Sequence, residues 1–505
     1  MDRKWWTLIA VSVAIFMLLL DITVVNVALP SIQHALHSNF QDLQWVVDAY
    51  SLTLAAFLLT GGALADLFGR RLLFTTGLVV FTASSAVCGL STTPLMLNLA
   101  RGVQGVGGAL MFATSLALIA QAFQGRERGT AFGVFGAVTG AAVAAGPLIG
   151  GVLTSAIGWE WIFFVNVPIG IVAVGLTLAK VQESRDPNAT GVDWAGLVTF
   201  SGALFLLVFA LVRGNGLGWG STEIVAMLTG SVALLVLFVV AERMQERPML
   251  DLSLFKVPAF VGANLVAFTL SSSAFAMFLY LTLYIQDVLH YSPLQAGLRF
   301  LPTTLLMFFV APISGKLSVR VPIRLLLGVG LLFVSGGLLA MTLITPTSGW
   351  TALIPGFVLQ GIGVGMINPP LASAAVGVVP PARSGMASGA NSTFRQVGIA
   401  TGIAALGAIF QAELGGGGGA AGEAAVQHAT HAQFVDAFTS ILQIGSAVAL
   451  VGALGAFALV RSRDFVASHA PEGTAAAVTP EQADQAGRSS GSGREPLVAG
   501  AGEHR

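Results

Sequence analysis

Long hydrophobic runs recur along the whole chain, and short polar segments separate them. Each run holds about 20 residues or more, which as a helix crosses a bilayer core about 30 Å thick. Because only helices and closed barrels satisfy every backbone hydrogen bond in lipid, we interpret the runs as transmembrane helices. The pattern predicts fourteen of them, at residues 6–29, 45–65, 72–92, 95–122, 131–154, 160–180, 192–212, 221–241, 259–286, 294–316, 322–344, 350–372, 385–412 and 435–460.

The composition also indicates a protein whose main solvent is lipid. Hydrophobic residues make up 55% of the 505 residues and charged residues only 10%, whereas soluble domains carry about 25% charged residues. The 24 basic residues balance the 24 acidic ones, so no net charge favours a nucleic-acid partner. The single cysteine, Cys88, lies in a hydrophobic run and is interpreted as a packing residue. The fold class predicted is an all-α polytopic membrane protein.

The basic residues sort to one side of the predicted membrane. With the N-terminus inside, twenty of the 24 Lys and Arg residues fall in inner loops or tails, and only Arg213 falls at an outer loop. Such residues are retained on the cytoplasmic side, so both termini are predicted to be cytoplasmic. After residue 463 the hydrophobic pattern stops, and the composition predicts a disordered cytoplasmic tail.

The chain contains a weak internal duplication. Three pairs of segments match at offsets of 253, 256 and 255 residues: Gly62–Arg71 with Gly315–Arg324, Gln104–Gly107 with Gln360–Gly363, and Arg128 with Arg383. A six-helix repeat with two helices inserted between its copies accounts for these offsets. The predicted organisation is a six-helix half over 1–186, two inserted helices over 187–256, a second six-helix half over 257–463 and the tail over 464–505.

Four segments carry a resemblance to a known family. They are residues 20–30 (LDITVVNVALP), 62–74, 97–109 and 146–151 (GPLIGG). Together they resemble the fourteen-helix drug–proton antiporters of the EmrB/QacA type in the major facilitator superfamily. The resemblance implies the major facilitator fold and a bacterial cytoplasmic (inner) membrane location. It also implies that the protein functions as a monomer among membrane lipids and uses a proton gradient, with no cofactor.

Ionisable residues inside a membrane are costly and mark functional paths. Asp21 lies roughly 12 Å from the outer end of the first helix and Arg101 roughly 9 Å from the outer end of the fourth, so the two lie at similar depth. Burial raises the pKa of an aspartate and a nearby arginine lowers it. The hypothesis is that a movable Arg101 switches Asp21 between proton-holding and proton-releasing states, with Asp48 as a further proton-coupling residue. A structural ion pair is the alternative.

Three further groups of residues are predicted to act in transport. Polar residues of the helix interior are assigned to the substrate cavity, where they contact solute or bond neighbouring helices: Asn26, Gln104, Asn391, Arg395 and Gln396. The loop after the second helix is assigned to an inner gate made of Asp66, Gly69, Arg70, Arg71 and Arg128. The glycine-rich fifth helix, with Gly146, Pro147, Gly150 and Gly151, is assigned to a close helix–helix seam.

Other functional classes find little support in the sequence. It has no phosphate-binding loop, no H-E-x-x-H and no G-x-S-x-G, so no catalytic residues, no enzyme activity and no metal site are predicted. The leading interpretation is a proton-coupled exporter of hydrophobic compounds, with cations favoured by the membrane acids. The alternatives are a dedicated exporter or importer of a single metabolite, possibly anionic and bound by Arg101 and Arg395, or a membrane enzyme or sensor.

Overall fold

A computed structural model describes residues 2–38, 40–123, 125–185, 191, 193–245, 248–380, 383–415 and 430–465. Within these ranges, the side chains at 26, 27, 30, 40–44, 125, 126, 143, 144, 147, 287, 293 and 294 are outside the description. The predicted tail after residue 465, and the side chains of Asn26 and Pro147, therefore lie outside the described part of the chain.

The described chain is built of helices. The long helical segments are α1 (Arg3–Leu36), α2 (Phe40–Phe68), α3 (Arg70–Gly89), α4 (Pro94–Ala122), α5 (Gly125–Ala156), α6 (Trp161–Lys180), α7 (Trp194–Leu217), α8 (Thr222–Met244), α9 (Pro258–Gln286), α10 (Leu301–Leu317), α11 (Ile323–Met341), α12 (Ile354–Gly377), α13 (Ser384–Glu413) and α14 (His431–Leu459). Among the described residues, twelve helices are long and apolar enough to cross a membrane. The remaining two segments are α5, which has 32 residues, and α10, which has 17.

Local sequence signals explain several helix ends. Thr93 caps α4 by accepting a hydrogen bond from the Met96 N–H, and Pro94 occupies the first turn, where a missing N–H costs nothing. At the start of α14, Thr430 and Gln433 form a reciprocal capping box. α9 is interrupted by a π-helical turn at Ser271–Phe275, and Gly402 of α13 packs against the Ser272 backbone there.

Buried hydrophobic residues form separate clusters in the two halves of the bundle. One cluster is built from α1–α6 with a contribution from α12, and the other from α9–α14. The helices α7 and α8 pack on each other, and α7 also lies against α2 and α13. The Thr60 and Ser201 hydroxyl oxygens, 2.9 Å apart, join α7 to α2, and Asn215 Nδ2 donates to the Ala404 carbonyl of α13 at 3.1 Å.

Glycines let the halves approach each other at two equivalent crossings. Gly62 of α2 lies against the backbone of Gly385 in α13, and Gly315 of α10 lies against Gly129 of α5, so that a β-carbon at any of these positions would clash. Gly62 and Gly315 are matched positions of the sequence duplication. The same backbone contact therefore recurs about a pseudo-two-fold axis, as in transporters built from parallel repeats.

Polar contacts join alternate loops at one end of the bundle, which we call the N-terminal end because it holds the start of α1. Five of them connect residues far apart in sequence: Lys4 to Glu127, the Arg70 N–H to the Ser184 carbonyl, the Met386 N–H to Asp66, Arg383 to Asp251, and the Ala259 N–H to Asp464. The start of α1, the α2–α3, α4–α5, α6–α7, α8–α9 and α12–α13 connections and the segment after α14 thus lie at this end.

Candidate functional site

Asp21 of α1 is the centre of a buried hydrogen-bond network. Its Oδ2 atom accepts a hydrogen bond from Arg101 Nη1 at 2.5 Å. Its Oδ1 atom accepts hydrogen bonds from Gln104 Nε2 and from Asn166 Nδ2, each at 2.9 Å. The residue is 1% exposed, and all three partners are donors, as the ionised form of an aspartate requires. The structure therefore joins α1, α4 and α6 through one carboxylate.

Arg101 makes several contacts in addition to its ion pair with Asp21. Its Nε atom donates to the Val46 carbonyl at 3.0 Å, and Nη1 also donates to Gln104 Oε1 at 2.7 Å. The guanidinium carbon lies 4.3 Å from the centroid of the Tyr50 ring, in cation–π contact. Asp21 and Arg101, matched by depth in the sequence, are therefore in direct contact, and α2 completes their surroundings.

The sequence analysis missed Asn166, Ser85 and Tyr50 as members of this network. Asn166 Nδ2 also donates to Ser85 Oγ at 3.0 Å, and Ser85 Oγ donates to the Phe163 carbonyl at 2.9 Å. Cys88, interpreted as a packing residue, is buried with its Sγ atom 3.7 Å from Gln104 Oε1. A buried asparagine in a hydrophobic helix was the one signal available for Asn166, whereas nothing local distinguished Ser85 from other helical serines.

Asp48 lies outside the Asp21 network. Asp48 is partly buried on α2, and its carboxyl group interacts electrostatically with the nearby positive charge of Arg213 on α7. The α2–α7 contact therefore places the single outer-loop arginine of the sequence analysis beside an acidic residue.

The predicted inner gate lies at the N-terminal end of the bundle and contacts the opposite half through backbone atoms. Asp66 Oδ1 accepts from Arg70 Nη2 at 2.8 Å and from the Gly385 N–H at 3.1 Å, and Oδ2 accepts from the Met386 N–H at 2.9 Å. Gly385 and Met386 open α13, so a carboxylate caps the N-terminus of a helix whose unpaired N–H groups and dipole attract anions.

Among the described residues, no hydrogen bond or ion pair joins Asp66 to Gly69, Arg71 or Arg128. Instead, Glu183 accepts hydrogen bonds from the Arg71 and Leu72 N–H groups at 3.0 and 3.1 Å. Gly69 has a φ of 119°, in the region that favours glycine, and a β-carbon there would lie 2.6 Å from the Glu183 carboxyl. Arg128 stacks on Phe132, 5.6 Å from the ring centroid. Of the predicted gate arginines Arg70, Arg71 and Arg128, Arg70 is the one that forms a described ion pair with Asp66.

The glycine-rich motif of α5 packs on α1 through two of its glycines. A β-carbon at Gly146 would clash with the Thr23 side chain, and one at Gly150 would lie 3.2 Å from the Val24 carbonyl. Gly151 does not belong to this seam, because a β-carbon there would meet no described atom within 4 Å. The assignment of Gly151 to a close seam was wrong, since the residue points away from α1 on the helical wheel.

A small cavity of about 20 Å³ lies between the two halves. Its lining comes from α4, α5, α12 and α13: Phe112, Leu116, Phe135, Gly136, Thr139, Asn368, Ala372, Asn391, Ser392 and Arg395. The cavity holds about one water molecule, far below the 300 Å³ or more of a typical ligand site. In this conformation the cavity is therefore too small for an organic ligand.

Two of the predicted cavity residues line this space and two do not. Asn391 and Arg395 belong to the lining. Gln104 belongs to the Asp21 network, and Gln396 is partly buried on α13 outside the lining. Asn368, which the sequence analysis missed, accepts a hydrogen bond from Arg395 Nη2 at 3.0 Å through its Oδ1 atom.

Comparison with solved structures identifies the same fold elsewhere. The chain resembles the crystal structure of the human organic anion transporter MFSD10 (TETRAN) with a TM-score of 0.65 and 14% identity, covering 90% of this chain and 100% of that one. At this identity the likeness is one of fold alone.

Curated relatives align over most of the chain. It is 37% identical to the multidrug resistance protein Stp of Mycobacterium tuberculosis over 409 residues, which cover 81% of this chain and 76% of that protein. It is 35% identical to the tetracenomycin C resistance and export protein of Streptomyces glaucescens, covering 82% and 77%. It is 34% identical to the puromycin resistance protein pur8 of Streptomyces alboniger, covering 95% of each chain.

The sequence profile of the Major Facilitator Superfamily matches residues 11–403. This match covers more than half of the chain, and it agrees with the two-half helical bundle and with the relatives above. The chain belongs to the Major Facilitator Superfamily.

Proposed function

We propose that the protein exports hydrophobic compounds from the cytoplasm in exchange for protons. The observation that carries the proposal is the buried Asp21 carboxylate, held by three donors from two other helices at membrane depth. The names of the relatives, which refer to multidrug resistance, tetracenomycin C export and puromycin resistance, support drug-like compounds as the exported class.

The proposed topology has fourteen membrane-crossing helices, with α5 and α10 counted beside the twelve of sufficient length and hydropathy. The start of α1 and the segment after α14 both lie at the N-terminal end of the bundle, as an even number of crossings requires. Because this end also carries most of the Lys and Arg residues, we assign it to the cytoplasm of a bacterial inner membrane. The proposed units are the halves 1–186 and 257–463, the inserted helices within 187–256 and the tail 464–505.

The proposed coupling step is the protonation of Asp21. A protonated carboxyl loses acceptor capacity at one oxygen, so at least one of the bonds from Arg101, Gln104 and Asn166 must weaken. Two of these donors belong to α4, which also lines the cavity through Phe112, roughly 12 Å further along the helix. Proton uptake would therefore loosen α4 from α1, and the movement would reach the cavity through the same helix.

The proposed gate is the bond set between Asp66 and the start of α13. These bonds join the two halves at the cytoplasmic end, so they must break when the cavity opens to the cytoplasm. Reformation of the bonds commits the bound compound to release on the outer side. Asp66 is assigned to gating, and the cavity residues Asn391 and Arg395 to the compound.

A second candidate is the dedicated transport of one anionic metabolite. The observation that favours it is the presence of Arg395 in the cavity lining, in which no described residue is acidic. A narrow substrate range would distinguish this function from multidrug export.

Purified protein in lipid vesicles that enclose a pH-sensitive dye tests the proposal. With an imposed proton gradient, uphill movement of several chemically unrelated hydrophobic compounds, each accompanied by proton flux, is expected. Transport that persists when the proton gradient is collapsed would contradict the coupling. Transport of a single compound from a broad panel would favour the second candidate.

A further inference from the structure

The described lining of the cavity contains no acidic residue, although the membrane acids of the sequence favoured cationic compounds. Among the described residues that line it, Arg395 is the one charged residue, and the others are neutral. The α4 and α5 side of the cavity is largely apolar, with Phe112, Leu116 and Phe135, whereas the α12 and α13 side carries Arg395 and two asparagines.

The two arginines of the sequence hypothesis have very different surroundings. Arg101 is 1% exposed and neutralised by Asp21, with a backbone carbonyl and Gln104 as further acceptors. Among the described residues, Arg395 donates one hydrogen bond, to the neutral Asn368, and forms no ion pair. Burying a guanidinium group inside a membrane costs free energy unless an anion accompanies it. The cavity therefore favours the binding of a negatively charged group.

Asn368 supplies a second hydrogen-bond donor in the same cavity that has no described partner. The residue is 6% exposed, and its Nδ2 atom has no hydrogen-bond partner among the described residues. Because its Oδ1 atom accepts from Arg395, the orientation of the amide is set and the N–H groups are left for another acceptor. Buried polar groups in folded proteins are hydrogen-bonded in the great majority of cases, so the amide N–H groups of Asn368 beside Arg395 are positioned for an acceptor that enters the cavity.

We propose that Arg395 and Asn368 form a subsite for an anionic oxygen group, such as a carboxylate or phenolate, of the exported compound. The planar guanidinium binds two oxygens at once, and an attraction between opposite charges is strong in a low dielectric. The apolar body of the compound would lie against Phe112, Leu116 and Phe135. This inference rests on the proposed export function, and it replaces the expectation of cationic compounds.

Two xanthene dyes of similar shape and opposite charge test the subsite, fluorescein as the anion and rhodamine 123 as the cation. Binding of each dye to the purified full-length protein is measured by fluorescence anisotropy. The wild type should bind fluorescein more tightly than rhodamine 123. Arg395→Gln should weaken fluorescein binding by about 30-fold, because a buried charge pair loses one partner, and should change rhodamine 123 binding less than about twofold.

Asn368→Asp gives an independent variant that keeps the arginine. The new carboxylate has nearly the shape of the asparagine and would neutralise Arg395 as Asp21 neutralises Arg101. The affinity for fluorescein should decrease as in Arg395→Gln, whereas the affinity for rhodamine 123 should stay the same or increase. The matched control is Arg320→Gln, an exposed arginine outside the cavity lining, which should leave both dyes unaffected.

The proposal is overturned if the wild type does not prefer fluorescein, or if either cavity variant weakens both dyes to the same extent. Size-exclusion profiles establish whether each variant is folded. If Arg395→Gln is not folded, the binding of the two dyes to Asn368→Asp tests the proposal. Proton-driven export of rhodamine 123 by the wild type is measured separately in vesicles. If export occurs without fluorescein preference, the subsite fails while the proposed exporter function stands.

Discussion

The side-chain amide of Asn166 lies 2.9 Å from Oδ1 of Asp21, although the two residues are 145 positions apart. α6 is interrupted at Val165, and Asn166 is the first residue of the part that follows. Asn166 is fully buried, and its side chain contacts α1. Together with the two donors of α4, it gives the carboxylate more hydrogen bonds than an ion pair with Arg101 alone would supply. One carboxylate therefore joins side chains of three helices in a single hydrogen-bond network.

Replacing Asp21 with asparagine should abolish proton-coupled export and leave a folded protein. The amide has nearly the same size as the carboxyl group but cannot take up or release a proton. Proton release on compound binding, followed with a pH-sensitive dye on purified protein, should fall well below that of the wild type.

The control for this change is Asp436→Asn, an exposed aspartate near the start of α14, which should behave as the wild type. Normal uphill export and normal proton release in Asp21→Asn would move the coupling role to another carboxylate, with Asp48 the next to test.

Replacing Asn166 with alanine should move the pH optimum of exchange upward by about one unit. The ionised Asp21 loses one of its three donors, and a hydrogen bond to a charged group contributes about 1.5–3 kcal/mol, where 1.36 kcal/mol corresponds to one pH unit. The measurement is the initial rate of export in vesicles between pH 5 and 9.

Asn215→Ala serves as the control, because Asn215 bonds the Ala404 carbonyl far from Asp21 in sequence and outside its network. An optimum that stays at the wild-type pH in Asn166→Ala would show that this hydrogen bond has no part in proton binding.

Replacing Asp66 with asparagine should favour the state that is open to the cytoplasm. The change removes the charge that the Arg70 guanidinium and the Gly385 and Met386 N–H groups hold in place. A loss of about 1.5 kcal/mol or more corresponds to at least about a tenfold rise in the ratio of open to closed molecules. A cysteine at Ser388, a buried position of α13, should react faster with a maleimide in a Cys88→Ala background.

Asp251→Asn is the matched control, because the ion pair of Asp251 with Arg383 is partly exposed to solvent and such pairs contribute little to stability. Equal labelling rates in the wild type and in Asp66→Asn would remove Asp66 from the gate.

Replacing Gly146 with valine should reduce export per folded molecule by about tenfold or more. The larger side chain would collide with Thr23, and overpacking of a tight contact costs about 1–3 kcal/mol. Gly151→Val offers a control in the same helix, because its β-carbon meets no described atom and the variant should export normally. Similar activity of the two valine variants would mean that the α1–α5 seam does not limit transport.

Cysteine labelling should locate the two ends of the bundle. A single cysteine at Thr347, in the connection between α11 and α12, should react with an impermeant maleimide on intact cells in a Cys88→Ala background. A cysteine at Arg185, after α6, should react only after permeabilisation, because its loop belongs to the N-terminal end. Labelling of both positions from the same side would contradict the fourteen-crossing topology.

The sequence by itself determined the helical class, the approximate position of each hydrophobic segment and the duplication. These properties are local, because lipid requires an apolar segment of a certain length wherever the chain crosses it. The pairing of Asp21 with Arg101 also followed from the sequence, since rise per residue gives depth and a buried charge needs a partner. The family resemblance supplied the gate and the α5 motif as candidates.

Only the tertiary structure decided which side chains meet. Depth along a helix follows from sequence position, but the direction in which a side chain points depends on helix rotation and on packing against distant segments. For this reason Asn166 donates to Asp21, and Glu183 accepts a hydrogen bond from the backbone N–H of the predicted gate residue Arg71. Gly151 likewise points away from the seam that Gly146 forms. The same packing leaves Arg395 in the cavity with a neutral partner, although its sequence surroundings resemble those of any other helix interior.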